Sequence, residues 1–341
     1  MIWDNMILGI DIGGANTKIT EMKSDGTYKI HHIYFPMWRN NKELTNLLAK
    51  YNHKDITKIA LVMTAELADS YETKKEGVID ILNSVKNAFP NKEIFIFDVD
   101  GNFLTPSEAV KQHIKVSASN WTATAEFVKN NICPNDNCIL IDMGSTTTDI
   151  IPIVNGKIVA QKTDLDRLIN NELLYVGTLR TPISFLSNTV EYKCKNENTT
   201  INVSSEYFAI TGDINIIMDK ITTNDYTCDT PDGAPTNKQN CKIRLSKVLC
   251  GDLEQIGEEE INEVAKQFYA KLLNLIKSNV DKVATKYNIN NIVITGLGEP
   301  ILIDALRQEY NIISIKEGYN KDVSLATPSF AVAELLNKTK R

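Results

Sequence analysis

This sequence of 341 residues lacks any block of like charge, any long apolar run and any dense cysteine pattern. Lys and Arg number 37 against 43 Asp and Glu, a net charge of −6 with no basic cluster to hold a polyanion. Nucleic acid and membrane surfaces are thereby excluded as partners, and any anion the chain binds must be caught locally. No apolar stretch approaches the roughly 18 residues of a membrane span. The opening Met1–Met6 has neither the basic nor the apolar region of a secretory signal, so a cytoplasmic protein is expected. The 6 cysteines lack the paired short spacing of a zinc site, and a chain of this length needs no disulfides, so free thiols are expected. His31, His32, His53 and His113 have no spacing suited to a metal or a triad and read as structural.

What is present is an ordinary globular balance, with 43% hydrophobic and 23% charged residues, in a chain longer than one core usually supports. Met6–Ile12 is an apolar run that ends in a Gly-rich turn, and Thr17–Met22 with Tyr28–Phe35 are expected to form a hairpin around Lys23-Ser24-Asp25-Gly26. A helical stretch near Asn41–Tyr51, a strand at Lys58–Met63, a helix around Tyr71–Ala88 and a strand at Glu93–Asp98 follow. Helical segments are expected at Pro106–His113 and Thr122–Asn131. The pattern then restarts: Cys138–Met143 is an apolar strand ending in Asp and Gly, and Thr147–Val154 meets Lys157–Ala160 at an Asn155-Gly156 turn. The region 162–250 is less regular and contains polar stretches, read as loops, at Lys193–Thr200 and Thr222–Gln239. Glu258–Tyr287 repeats apolar residues at three- and four-residue steps, which predicts a long amphipathic helix. A strand at Ile292–Thr295, the turn Gly296-Leu297-Gly298, and helices near Pro300–Tyr310 and Pro328–Lys338 close the chain.

The informative feature is an internal echo. Asp11-Ile12-Gly13-Gly14-Ala15-Asn16-Thr17-Lys18 and Asp142-Met143-Gly144-Ser145-Thr146-Thr147-Thr148-Asp149 each follow an apolar strand and open a hairpin. A buried strand-end Asp is costly unless its charge has a partner or a task. Glycines after it leave backbone N–H groups free to converge on an anion. The hydroxyls of Thr17, Ser145, Thr146 and Thr147 add neutral donors, and Lys18 adds a cation. Two such loops are expected to clamp a di- or triphosphate, with Asp11 and Asp142 holding Mg²⁺ directly or through water. The competing reading is a pair of tight hairpins in which Gly serves shape and Asp serves capping.

These two loops, with Ile294-Thr295-Gly296-Leu297-Gly298 late in the chain, resemble the two phosphate loops and the adenosine loop of the acetate/sugar kinase–Hsp70–actin superfamily. Within it the chain looks like the hydantoinase/oxoprolinase-related branch. Met63–Asp69, Ser119-Asn120-Trp121, Tyr175–Pro182 and Asp232-Gly233-Ala234 are similar to segments of a one-carbon-pathway group of that branch. The resemblance implies an α/β fold of two related actin/ribonuclease-H-like subdomains facing each other across a cleft. The expected division is 1–131 and 132–341, with an insertion at about 162–250 carrying acceptor specificity; it leaves open a return of the last helix to the first subdomain. It further implies a transferase of methanofuran biosynthesis. Such an enzyme condenses (5-aminomethyl-3-furyl)methyl diphosphate with the phenol of γ-glutamyltyramine, releases diphosphate and consumes no ATP. Mg²⁺ is the implied cofactor, the partners are small molecules, and self-association is left open.

On that resemblance Asp11, Asp142, Glu66 and Asp149 are the candidate catalytic residues, with Asp11 and Asp142 also the metal ligands. Gly13, Gly14, Asn16, Thr17, Lys18, Gly144, Ser145, Thr146 and Thr147 are the candidate diphosphate contacts. Glu66 and Asp69 are expected to point into the cleft as base or amine anchor; alternatively Glu66 caps the following helix. Asp149 binds metal, acts as base, or pairs with Lys18. Arg180 forks onto a substrate carboxylate or forms a surface ion pair. Asn120 lines the pocket, whereas Trp121 reads more readily as core. Gly296 and Gly298 lie where superfamily members hold adenosine, or are inherited turn residues. Two rival readings share the loops: an ATP-dependent small-molecule kinase or ring opener, and a nucleotide-regulated actin- or chaperone-like module.

Overall fold

A computed structural model describes residues 6–194 and 197–339; Met1–Asn5 of the opening hexapeptide, and residues 195 and 196 within the Lys193–Thr200 stretch, lie outside it. The chain divides into two compact units. The first takes Met1–Leu140, Ile151–Asn170 and Ile315–Arg341, and the second Ile141–Ile150 and Asn171–Ser314. They interleave in sequence instead of dividing once after residue 131, and the C-terminal helix belongs to the first.

The first unit is built on strands β1 (Met6–Ile12), β2 (Asn16–Met22), β3 (Tyr28–Tyr34), β4 (Ile56–Met63), β5 (Glu93–Phe97) and β6 (Phe103–Leu104), in the order β3-β2-β1-β4-β5-β6. β1, β2 and β3 are antiparallel neighbours, while β4 and β5 continue parallel to β1. The central strands read as near-continuous apolar runs because both faces are covered. Leu8, Ile10 and Ile12 pack in one cluster with Val78, Ile81, Leu82 and Val85 of the helix Lys74–Ala88. On β2, Thr20 meets Ser329 of the helix Thr327–Lys338 through hydroxyls 2.9 Å apart.

A second sheet repeats the plan. Strands β7 (Cys138–Met143), β8 (Thr148–Val154), β9 (Lys157–Ile158) and β10 (Leu173–Leu174) are followed by a separate antiparallel ribbon, β11 (Thr189–Cys194) and β12 (Glu197–Asn202), and then by β13 (Asn291–Thr295) and β14 (Asn311–Ser314). The sheet order is β10-β8-β7-β13-β14, with β9 also paired to β8. An antiparallel hairpin followed by a parallel pair therefore occurs twice, and the sequence echo is an echo of topology. The mixed α/β class matches expectation. The stretch Lys193–Thr200 does not: its described residues belong to the β11–β12 ribbon rather than a loop. β10 and β14 add strands that the sequence pattern did not mark.

The helix Glu258–Tyr287 has the bounds its periodicity predicts. Three glutamates in its first turn and Lys286 in its last complement the helix dipole, and Asn288 closes it at φ 52° in the left-handed region. Ile261, Val264, Phe268, Leu272, Ile276, Val280 and Val283 are buried along one face, each contributing roughly 1.5–3 kcal/mol. Phe268→Ala would cost about 3–5 kcal/mol, because the cavity adds to the lost transfer energy. The opposite edge of this helix carries the ribbon: the Glu191 N–H donates to Gln267 Oε1 at 2.8 Å, and Gln267 Nε2 returns a bond to the Glu191 carbonyl at 2.7 Å.

Candidate functional site

The two echoed loops share a backbone geometry. In the first, the Gly13 N–H donates to the Asn16 carbonyl at 2.9 Å; in the second, the Gly144 N–H donates to the Thr147 carbonyl at 2.9 Å. Each loop is backed from behind by the chain that follows its hairpin. The N–H groups of Phe35 and Met37 donate to the carbonyls of Ala15 and Gly14 at 3.0 and 2.8 Å. Correspondingly, the Thr178 N–H donates to the Gly144 carbonyl at 2.9 Å, and those of Leu179 and Arg180 to the Ser145 carbonyl at 3.1 and 3.0 Å. These bonds fix the carbonyls of both loops in place.

Around the first loop, Asp11 is the penultimate residue of β1 with 2% exposure, and Lys18 Nζ of the neighbouring strand lies 3.6 Å from its Oδ2. Gly14 faces open space, and the fully buried Thr17 hydroxyl has no hydrogen-bond partner. In the second loop Asp142 is half-buried, as are Gly144, Ser145, Thr146 and Thr147. Arg180 Nη1 donates to Thr146 Oγ1 at 3.2 Å, which ties this half-buried guanidinium to the loop. Tyr207 and Cys228 lie in the field of Arg180, and burial pushes the Cys228 thiol up to about 11. Asp149 is buried on β8, opposite Leu173 of β10. Gly296, at φ +94°, approaches so closely that a Cβ there would sit 2.5 Å from Asp142 Oδ1; Gly298 donates its N–H to the Met143 carbonyl at 2.9 Å. Both glycines are thus required by close packing against Asp142 and Met143 of β7.

Glu66 is 1% exposed in a short 3₁₀ turn after β4, and its Oε2 has no hydrogen-bond partner. Burial pushes its carboxyl up to about 7, opposed by the Ala118 N–H and the charge of Lys74, and reinforced by Asp164. It does not cap the next helix: Thr73 does, accepting from the Glu76 N–H at 3.2 Å. The expected helical spacing of Glu66 and Asp69 fails as well, because the 3₁₀ turn stops at Leu67 and Asp69 is exposed. Asn120 is the first residue of the helix Asn120–Asn131, and its carbonyl accepts from Thr124. Trp121 is core, 1% exposed, with the Arg167 guanidinium 4.7 Å from its ring centroid.

Among the described residues no group of three His, Cys, Asp or Glu side chains is placed to hold a metal. Cys133, Cys138, Cys228, Cys241 and Cys250 are free thiols, and the side chain of Cys194 lies outside the described residues. Sequence reasoning missed the support of the second loop: the helix Thr211–Ile217, Asp213, Tyr226 and Arg244. Its ion pair spans 31 residues of sequence and leaves no local pattern.

The hydantoinase/oxoprolinase family model matches residues 58–339. Two curated relatives carry one name, (4-{4-[2-(gamma-L-glutamylamino)ethyl]phenoxymethyl}furan-2-yl)methanamine synthase. That of Methanocaldococcus jannaschii is 62% identical over 98% of both chains. That of Methanococcus vannielii is 63% identical over 62% of this chain and 95% of its own. Among solved structures, nucleotide-free acetone carboxylase aligns with TM-score 0.57 at 10% identity, covering 97% of this chain and 70% of that one. A ROK family glucokinase from Streptomyces griseus aligns with TM-score 0.50 at 11% identity over 97% and 99%. At such identities these two structures speak to the fold alone.

Proposed function

This chain belongs to the hydantoinase/oxoprolinase family, and from that premise we propose that it is an enzyme catalysing the synthase reaction named for its relatives. The observation that carries this reading is the 62% identity extending over 98% of both chains. The reaction is read as a transfer to a phenol. The phenolic oxygen of γ-glutamyltyramine attacks the CH₂ of (5-aminomethyl-3-furyl)methyl diphosphate, and a C–O ether bond forms. The bond from that CH₂ to the diphosphate oxygen breaks, with its electron pair leaving on diphosphate.

The residues of the loops suit the leaving group. In the first loop the Thr17 hydroxyl and Lys18, and in the second the hydroxyls of Ser145, Thr146 and Thr147 with Arg180, are each groups that would stabilise charge growing on a departing diphosphate. Mg²⁺ would supply further stabilisation of the same oxygens when bound. Mg²⁺ needs few protein ligands, so one or two carboxylates would suffice to hold it. Asp11 and Asp142 are the carboxylates that would hold it.

The phenol needs help, since its ordinary pKa is about 10. Glu66 is proposed as the group that takes its proton: a carboxyl near 7 with one unpartnered oxygen is poised for general-base work at neutral pH. Product analysis tests the reading. Purified protein given the furan diphosphate and γ-glutamyltyramine should yield one ether per diphosphate, with no ADP formed when ATP is added. ADP formation with an acceptor, and no diphosphate from the furan substrate, would place the chain among the kinases or ring openers instead.

A further inference from the structure

We propose that Asp213 and Arg244, outside both echoed loops in sequence, are positioning residues that hold the second loop in its anion-binding shape. The inference rests on the reading of that loop as a diphosphate contact.

The connection can be followed bond by bond. Arg244 and Asp213 have fully buried side chains. Arg244 Nε donates to Asp213 Oδ1 at 2.8 Å, and Nη2 donates to Cys241 Sγ at 3.3 Å. Its Nη1 reaches Asp232 Oδ1 at 3.1 Å and the Pro235 carbonyl at 3.2 Å. Tyr226 donates its hydroxyl to Asp213 Oδ1 at 3.2 Å. The other Asp213 oxygen accepts the Ile210 N–H at 3.0 Å, which fixes the start of the helix Thr211–Ile217.

That helix start grips residues 177–181. Thr211 Oγ1 donates to the Gly177 carbonyl at 2.8 Å and accepts from the Thr181 N–H at 3.2 Å. The N–H groups of Thr211 and Gly212 donate to the carbonyls of Thr181 and Leu179 at 2.8 and 3.0 Å. Asn215 Nδ2 adds a bond to the Thr178 carbonyl at 2.7 Å. The gripped segment is the one whose N–H groups hold the Gly144 and Ser145 carbonyls and whose Arg180 reaches Thr146. A displacement at Arg244 is therefore passed to the loop through hydrogen bonds with no open link.

A fully buried ion pair is weak evidence for stability, because desolvation offsets much of the attraction. Its defensible use is to fix one arrangement among several, and the arrangement fixed here is the floor of the loop.

The test uses Arg244→Lys, Thr211→Val and Thr211→Ser in the full chain, titrated calorimetrically with inorganic diphosphate and assayed for both KM values. Misplacing the loop should raise the diphosphate Kd about tenfold in Arg244→Lys and Thr211→Val, with the acceptor KM little changed. Thr211→Ser keeps the hydroxyl and should restore wild-type binding. Should Arg244→Lys not fold, the Thr211 pair decides the matter. Variants with a lowered Tm but a Kd within about twofold of wild type would overturn the positioning role. A wild-type chain that fails to bind diphosphate would overturn the reading of the loop itself, and this inference with it.

Discussion

In the first loop a glycine N–H closes onto the carbonyl three residues ahead, and in the second loop the same bond forms at the same 2.9 Å. Position by position the contents then diverge. Gly14 and Ala15 become Ser145 and Thr146, and Lys18 becomes Asp149. Thr17 keeps a buried hydroxyl without a partner, whereas its counterpart Thr148 donates to the Val176 carbonyl at 2.7 Å. The first loop brings its own cation and packs it against Asp11. The second brings hydroxyls and takes its cation, Arg180, from the segment beneath it. One backbone solution has thus been filled in two ways: the first loop carries a cation on its own hairpin, and the second is reached by one from a later segment.

The largest expected effect separates acid–base work from both loops. Glu66→Gln should lower kcat about 10²–10⁴-fold, in line with the loss of a general base. The wild-type rate should rise with pH through an acid limb near 7, as Glu66 ionises, and the variant should lack that limb. Stability runs the other way. The folded-state pKa is raised from 4.5 to about 7, so between these values the native state binds the extra proton and stability falls as pH rises. Melting curves at pH 5 and pH 8 should show Glu66→Gln gaining relative to wild type at the higher pH, by at most roughly 3 kcal/mol. A rate profile unchanged by the substitution would remove Glu66 from the chemistry.

Next come the two aspartates. Asp11→Asn and Asp142→Asn should each reduce turnover about 10²–10³-fold. Asp11→Asn should also lower Tm, because it strips a buried partner from Lys18. Near wild-type rates in both variants would leave the loops as ordinary hairpins.

Gly177→Ala and Gly14→Ala then compare the support of the second loop with the face of the first. A Cβ on Gly177 would sit 2.5 Å from the Ser145 carbonyl, whereas one on Gly14 meets nothing within 4 Å. Gly177→Ala should cost about 1–3 kcal/mol by overpacking and slow turnover. Gly14→Ala should leave Tm in place and raise only the KM for the diphosphate substrate. The smallest contrast is between threonines: Thr148→Val should cost about 1–2 kcal/mol in a denaturant titration, and Thr17→Val close to nothing.

The sequence made the duplicated hairpins legible because Asp-x-Gly after an apolar run is a local pattern, and local patterns survive in one dimension. The helix Glu258–Tyr287 was legible for the same reason, through thirty residues of unbroken period. β12 escaped because its Glu, Asn and Thr side chains are almost all exposed and no buried face imposes alternation, and β11 buries little beyond Val190. β14, four residues between two helices, is too short to show a period. At the site, Glu66 was legible as a candidate but its environment was not, since the burial that raises its pKa comes from packing. The Asp213–Arg244 pair could not be read at all, because nothing local marks two charges that meet only after folding.

Each loop is proposed to contact diphosphate, with a cation of its own source. Calorimetric titration of wild type, Lys18→Gln and Arg180→Gln with inorganic diphosphate tests it most directly. Wild type should bind, and each variant should bind about tenfold or more weakly, as expected for loss of a charge-assisted contact. Equal affinity in all three, or a wild-type chain that ignores diphosphate and holds ATP, would contradict it.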